Sequence, residues 1–169
     1  MSFANTTLLL SALCTALMAG LFYSYSCSVN LGLAKLPDAQ YLSAMQNINR
    51  AIQNPAFFAA FFGALVLLPL CAYLSYASPA GLRFWMLVTA TVIYAVGLFG
   101  VTAFGNVPLN EMLDRFDLAS ATQPDIAIMR QKFEGPWNRW HFVRTIAVLL
   151  SLGSVLAACI APAKRMVIE

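Results

Sequence analysis

Charge is scarce in this sequence: of its 169 residues only 10% are Asp, Glu, Lys or Arg, against about a quarter in a soluble domain. That deficit excludes a water-soluble enzyme with a solvated surface. The formal net charge of +3 is small and scattered, without the basic stripe that nucleic acid requires, so nucleic acid is not an expected partner. Histidine occurs once, as His141, too few for a bis-histidine haem or a di-iron carboxylate site within one chain, and no metal is expected. The four cysteines, Cys14, Cys27, Cys71 and Cys159, form no C-x-x-C pair and lie in apolar stretches. They read as small core residues, not as a redox dithiol. A Gly-rich phosphate loop after a strand is missing as well. The inventory calls for no cofactor.

Apolar sequence is what the chain has in excess, at 60% of residues and a mean hydropathy of +0.73. Uncharged runs cover residues 1–34, 51–82, 84–110 and 145–163, and about 20 residues suffice for a helix to cross the hydrocarbon. A backbone in lipid must satisfy its own N–H and C=O groups, and these continuous runs lack the alternation of a barrel strand. The expected fold is all-α: a four-helix transmembrane bundle forming one integral membrane domain over residues 1–169, with spans near 7–28, 55–78, 84–106 and 137–160. The protein is then a multi-pass component of the cell membrane, the inner one if bacterial, and the lipid bilayer is its first partner. No basic residue precedes the first run, which is too long for a signal-peptide core, so it reads as a retained anchor.

Both longer connections carry helix signals. After Leu36-Pro37-Asp38, the residues Tyr41, Met45, Ile48 and Ile52 share one face, predicting a short amphipathic helix in the first loop. In the loop between spans three and four, Leu109, Met112, Leu113 and Phe116 form a second apolar stripe. A further helix is predicted over 124–133, opened by the capping-box pattern Thr122-Gln123-Pro124-Asp125 and ended by Gly135-Pro136. Small residues repeat every fourth position in span one, at Ala12, Ala16, Gly20, Ser24 and Ser28, and in span two, at Ala56, Ala60 and Ala64. Such stripes let helices approach closely in lipid. Packing inside the bundle is the favoured reading, and pairing of two copies into a homo-oligomer is the other.

Polar residues gather at one membrane face. Four antiparallel spans bring the end of the first, the start of the second, the end of the third and the start of the fourth to the same side. Tyr25 stands at the first of these ends, Asn47, Arg50 and Asn54 at the second, Asn106 and Asn110 at the third, and Trp137, Trp140, His141 and Arg144 at the fourth. Asn47, Arg50 and Asn54 have the spacing of one helical face, as do Trp137, His141 and Arg144. Pro108, between the two asparagines, is expected to interrupt its helix and free carbonyls there. Polar groups at such depth are costly unless they pair or line a wet cavity, so a pocket roofed by the loop helices is expected. Interfacial aromatic residues and snorkelling arginines offer the plainer explanation. In the pocket reading, His141 is a candidate base, Arg50 and Arg144 hold an anion such as an enolate or phenolate, and Asn106 and Asn110 orient it.

Four segments, Gly20-Leu21-Phe22-Tyr23-Ser24-Tyr25-Ser26, Ala44-Met45-Gln46-Asn47-Ile48-Asn49-Arg50 with Asn54-Pro55, Gly105-Asn106-Val107-Pro108-Leu109-Asn110, and Trp137-Asn138-Arg139-Trp140-His141-Phe142-Val143-Arg144, occur in the order seen in a known family. Over nearly its whole length the chain resembles the anthrone oxygenase-like family of small four-span membrane proteins, most of whose bacterial members are domains of unknown function. The resemblance implies oxidation of an anthrone to an anthraquinone by molecular oxygen without metal or flavin. It places Asn106, Pro108, Asn110, Trp140 and Arg144 on recognisable family positions, and His141 where the family varies, often carrying Asn.

The leading expectation is therefore a cofactor-independent oxygenase-like protein that acts on, or binds, a hydrophobic aromatic or quinone-type small molecule, with Asn47, Asn54, Asn106, Asn110, Trp137, Trp140 and Tyr25 contacting it. A non-catalytic membrane protein that binds a lipid or a partner protein is the alternative, and a transporter ranks third for want of paired interrupted spans. Lys35, Arg50, Arg115, Arg130, Lys132, Arg139 and Arg144 on the polar face outnumber Arg83, Lys164 and Arg165 on the other. A plain count thus puts the polar face in the cytoplasm.

Overall fold

The computed structural model describes residues 2–162, all elements of which are helical. Five helices account for them: α1 (Phe3–Leu33), α2 (Asp38–Ala51), α3 (Pro55–Leu74), α4 (Leu82–Asp114) and α5 (Gln123–Ile160). Four of these, all but α2, are long and apolar enough to cross a membrane. The protein is an integral, multi-pass membrane protein with an all-α four-helix architecture. Lys164 and Arg165, which entered the charge count, lie outside the described residues.

Each span packs on its neighbours in the chain, and the first packs on the last, so α1, α3, α4 and α5 form a closed ring in up-down order. Close approach between α4 and α5 depends on Gly97, where a Cβ would stand 2.6 Å from that of Ala147. Hydroxyls in the apolar interior, that of Thr102 apart, find carbonyls, which a lipid-embedded polar group otherwise lacks. Thr7, Ser11 and Thr15 return theirs to the preceding turn of α1. Ser151 donates from α5 to the Ala90 carbonyl of α4, and Tyr94 from α4 to the Phe61 carbonyl of α3, both at 2.9 Å.

The small-residue stripe of α1 faces outward. Ala16, Gly20, Ser24 and Ser28 are exposed, and the buried face is instead Thr7, Ser11, Thr15, Met18, Ala19 and Phe22. In α3, by contrast, Ala60 and Ala64 are buried as expected, while Ala56 in the first turn is exposed. Hydroxyls that can satisfy themselves within their own helix serve the contact in α1 as well as small carbons do.

Two predicted helix breaks are not breaks. Helix α5 runs through Gly135-Pro136 without interruption, because Ile126, Phe133, Trp137 and His141 bury one continuous face on both sides of Pro136. Residues 135 and 136 are exposed, so the missing hydrogen bond falls on the outer side. Helix α4 likewise passes Pro108, absorbing it in a wide π-helical turn over Thr102–Asn106, where the Val107 N–H reaches back to the Thr102 carbonyl. Similar turns occur at Tyr25–Val29 in α1 and Ile93–Gly100 in α4. Such turns commonly mark functional sites.

At the polar end, α2 and the projecting ends of α4 and α5 form a cap with its own apolar core of Tyr41, Leu42, Met45, Leu113, Ile126, Phe133 and Trp137. Arg130 fastens it. Its guanidinium bonds Asp38 (2.9 Å), Glu134 (2.7 Å) and the carbonyls of Leu36 and Ala34, and lies 4.5 Å over the Tyr41 ring. Burial, with the Glu134 carboxylate adding and Arg130 opposing, holds the Tyr41 phenol above its usual range. The expected Thr122–Asp125 capping box is formed at the start of α5.

Candidate functional site

Helices α3 and α4 lie close along the Leu82–Gly100 part of α4 and diverge beyond it toward the cap. A cleft of about 610 Å³ opens between them. Its walls are aromatic: Phe57 and Phe61 stack 5.2 Å apart, and Phe61 and Phe62 both meet Phe99. Phe58 and Phe62 are 39% and 46% exposed, so the side of the cleft opens to the outside of the bundle. Ile48 and Asn49 roof it from α2 and Gln53 from the turn that follows, and Tyr25, Trp137 and Arg144 form its floor. Glu111 and Asp114 stand at the mouth, paired with Arg115 (3.5 Å) and Arg50 (2.6 Å).

The floor is built by a relay of contacts from α4 to α5. Asn106, wholly buried, donates to the Trp137 carbonyl at 3.2 Å. Asn110 accepts the Trp137 indole N–H at 2.7 Å. The indole so fixed stacks flat on His141, centroids 5.0 Å apart and planes 9° from parallel. His141 Nδ1 in turn faces Nε and Nη2 of Arg144, at 3.4 and 3.2 Å. The Arg144 guanidinium is sandwiched between Phe22 (4.4 Å) and Trp137 (5.2 Å). It is 7% exposed, and among the described residues no carboxylate pairs with it.

Of the residues proposed from sequence, Arg144, Trp137, Asn110, Tyr25 and Arg50 line the cleft. Arg50 does so from the surface, ion-paired and 57% exposed. His141 and Asn106 sit behind the lining and act on it through Arg144 and Trp137. Three others stand apart. Asn47 is exposed on the outer side of α2. Asn54 begins the next helix, where its side chain accepts the Phe57 N–H and donates to the Ala51 carbonyl; α2 ends at Ala51, so the presumed face shared with Asn47 and Arg50 does not exist. Trp140, 44% exposed, faces outward and covers Gly105, where a Cβ would meet its ring at 2.7 Å.

Asn49 belongs to the polar residues of the same membrane face but was not among the candidate contacts, although it follows Leu42 by seven residues and Met45 by four and so lies on the buried face of α2. Its Nδ2 and the Thr102 Oγ1, both in cleft-lining residues, are buried without a hydrogen-bond partner. The phenylalanine wall was legible only as apolar span. A depression of about 530 Å³ on the cap, lined by Asp38, Arg130 and Glu134, is the outer surface of the Arg130 cluster. No three His, Cys, Asp or Glu side chains among the described residues gather closely enough to hold a metal ion.

Fold and site together define a small multi-pass membrane protein with an aromatic cleft over a buried cation. The family model described as anthrone oxygenase matches residues 56–154, more than half of the chain, and the chain belongs to that family. The matched segment spans α3, α4 and most of α5, and so includes the phenylalanine wall and Arg144. No curated protein and no solved structure matches the chain.

Proposed function

We propose that this protein is a membrane-embedded, cofactor-independent oxygenase that takes a hydrophobic aromatic molecule of anthrone or hydroquinone type from the bilayer and holds it as an anion in the cleft between α3 and α4. The observation that carries the reading is Arg144. A buried cation is costly unless an anion accompanies it, and its companions here are two aromatic faces and an imidazole. A flat, electron-rich anion fits between phenylalanine walls with its oxygen on the guanidinium.

The chemistry this arrangement favours balances without a further reagent. An anthrone loses a proton from its methylene carbon, and the negative charge settles on the carbonyl oxygen, where Arg144 stabilises it. Electrons pass from the anion to oxygen, a carbon–oxygen bond forms at the methylene carbon, and the resulting hydroperoxide loses water to leave a second carbonyl. The sum is anthrone plus O2 giving anthraquinone plus H2O. The Nδ1 lone pair of His141 is engaged by Arg144, so we assign the released proton to the mouth, where Glu111 and Asp114 stand.

Purified protein in micelles should consume oxygen and form quinone when given anthrone, and Arg144→Gln should abolish the increment over the spontaneous rate. Equal rates with and without protein across anthrones and hydroquinones would overturn the catalytic reading. A stoichiometric co-purified lipid in the cleft would replace it with a lipid-binding one.

A further inference from the structure

We propose that His141 is a positioning residue whose task is to fix the Arg144 guanidinium while leaving its charge uncancelled. The inference rests on the reading of Arg144 as the group that holds the anion, and it concerns how that cation is kept available.

Hydrogen bonds around the ring determine its state. The Ser26 hydroxyl donates to the Phe22 carbonyl at 3.0 Å, and the Thr145 hydroxyl donates to the His141 carbonyl at 2.7 Å. With their protons committed, both oxygens are acceptors where they meet His141 Nε2, at 2.9 and 3.5 Å. Nε2 therefore carries a proton. Nδ1 faces Nε and Nη2 of a guanidinium, which has only donors, so Nδ1 presents a lone pair. The ring is the neutral Nε2–H tautomer, held flat against Trp137 and tethered to α1 through Ser26.

A carboxylate in this place would orient an arginine more strongly, as Asp38 and Glu134 do for Arg130. It would also neutralise it, and an incoming anion would then have to displace a buried ion pair. A neutral acceptor directs two N–H groups and leaves the full charge facing the cleft. His141 itself does not line the cleft, so it acts through Arg144.

The test uses alizarin, 1,2-dihydroxyanthraquinone, a non-reacting aromatic whose visible band moves to longer wavelength on ionisation, titrated into the full-length protein in micelles at a pH where the free dye is neutral. Wild type should bind it with the long-wavelength band, and Arg144→Gln should lose that band. His141→Asn and His141→Gln, neutral acceptors, should keep the band with affinity within about threefold. His141→Glu should weaken ionised binding by about tenfold or more while unfolding no earlier than wild type. Ionised binding by His141→Glu as tight as wild type, or an equal loss in His141→Gln, overturns the positioning role. If His141→Glu does not fold, His141→Leu takes its place: it lacks an acceptor and should lose the band that His141→Gln keeps, and identical behaviour of the two overturns the inference. A wild type that leaves the dye neutral, or an Arg144→Gln that binds the ionised form unchanged, instead removes the anion-holding reading on which this one stands.

Discussion

Arg130 and Arg144 lie about four turns apart on the same helix, and both guanidiniums rest on an aromatic ring. Their partners separate them. Arg130 is surrounded by two carboxylates and two carbonyls; Glu134 lies one turn along its own helix, and the other three partners tie α5 to α2 and to the loop before it. Arg144 has an imidazole nitrogen, two ring faces and an aromatic cavity. The first arrangement is saturated and the second is open. A residue with four of its five donors spent on the fold contributes to stability, whereas one placed in apolar surroundings without an anion lowers stability and gains only when something anionic arrives.

That contrast predicts opposite responses to the same substitution. Arg130→Met should lower stability by about 2–4 kcal/mol, through lost charge-assisted bonds and carbonyls left without donors, measured as early thermal unfolding in micelles. Arg144→Met should change stability by less than about 1 kcal/mol or raise it, and should abolish binding of an anionic aromatic probe. If the two variants unfold equally early, the contrast is lost and Arg144 is a structural residue.

Between the tight and open flanks of α4 the expected effects are smaller. Gly97→Val should cost about 1–3 kcal/mol by forcing α4 away from Ala147, the overpacking penalty of a filled interface. Phe62→Ala, on α3 facing the open flank of α4, should cost less than that and speed exchange of a bound aromatic, as stopped-flow binding would register. An equal loss of stability in both would mean that α3 and α4 do not part as described. Trp137→Phe removes the indole donor to Asn110 and should cost about 1 kcal/mol, with the ring still covering His141. The smallest effect belongs to Thr102→Val, which deletes a buried hydroxyl without a partner and should leave stability unchanged or slightly higher.

The positions of the spans were legible because lipid excludes charge, and residues with charge are few enough to mark where helices leave it. The length of those helices was less legible. Gly135-Pro136 and Pro108 read as stops, yet in α5 the buried face formed by Phe133, Trp137 and His141 holds the helix through the proline, and in α4 a π turn takes up the missing hydrogen bond. Helical spacing picked out Trp137 and Arg144, and the topology of the spans picked out Asn110; all three line the cleft. Asn47 was chosen in place of Asn49 because the reading took its phase from Arg50 and Asn54, and Asn54 belongs to a different helix. Trp140 shares the motif of Trp137 and points the other way.

The one-dimensional order of charged and apolar residues was enough to determine a four-helix membrane protein with its polar groups at one face, since transfer into lipid is decided residue by residue and depends little on neighbours. Which polar side chains share a cavity, and that the buried Arg144 has no carboxylate beside it among the described residues, was decided only when α3 and α4 parted at the cap and α2 closed over them. Those outcomes depend on the rotational phase and divergence of helices packed across the ring, and a fraction of a turn is enough to exchange a buried side chain for an exposed one.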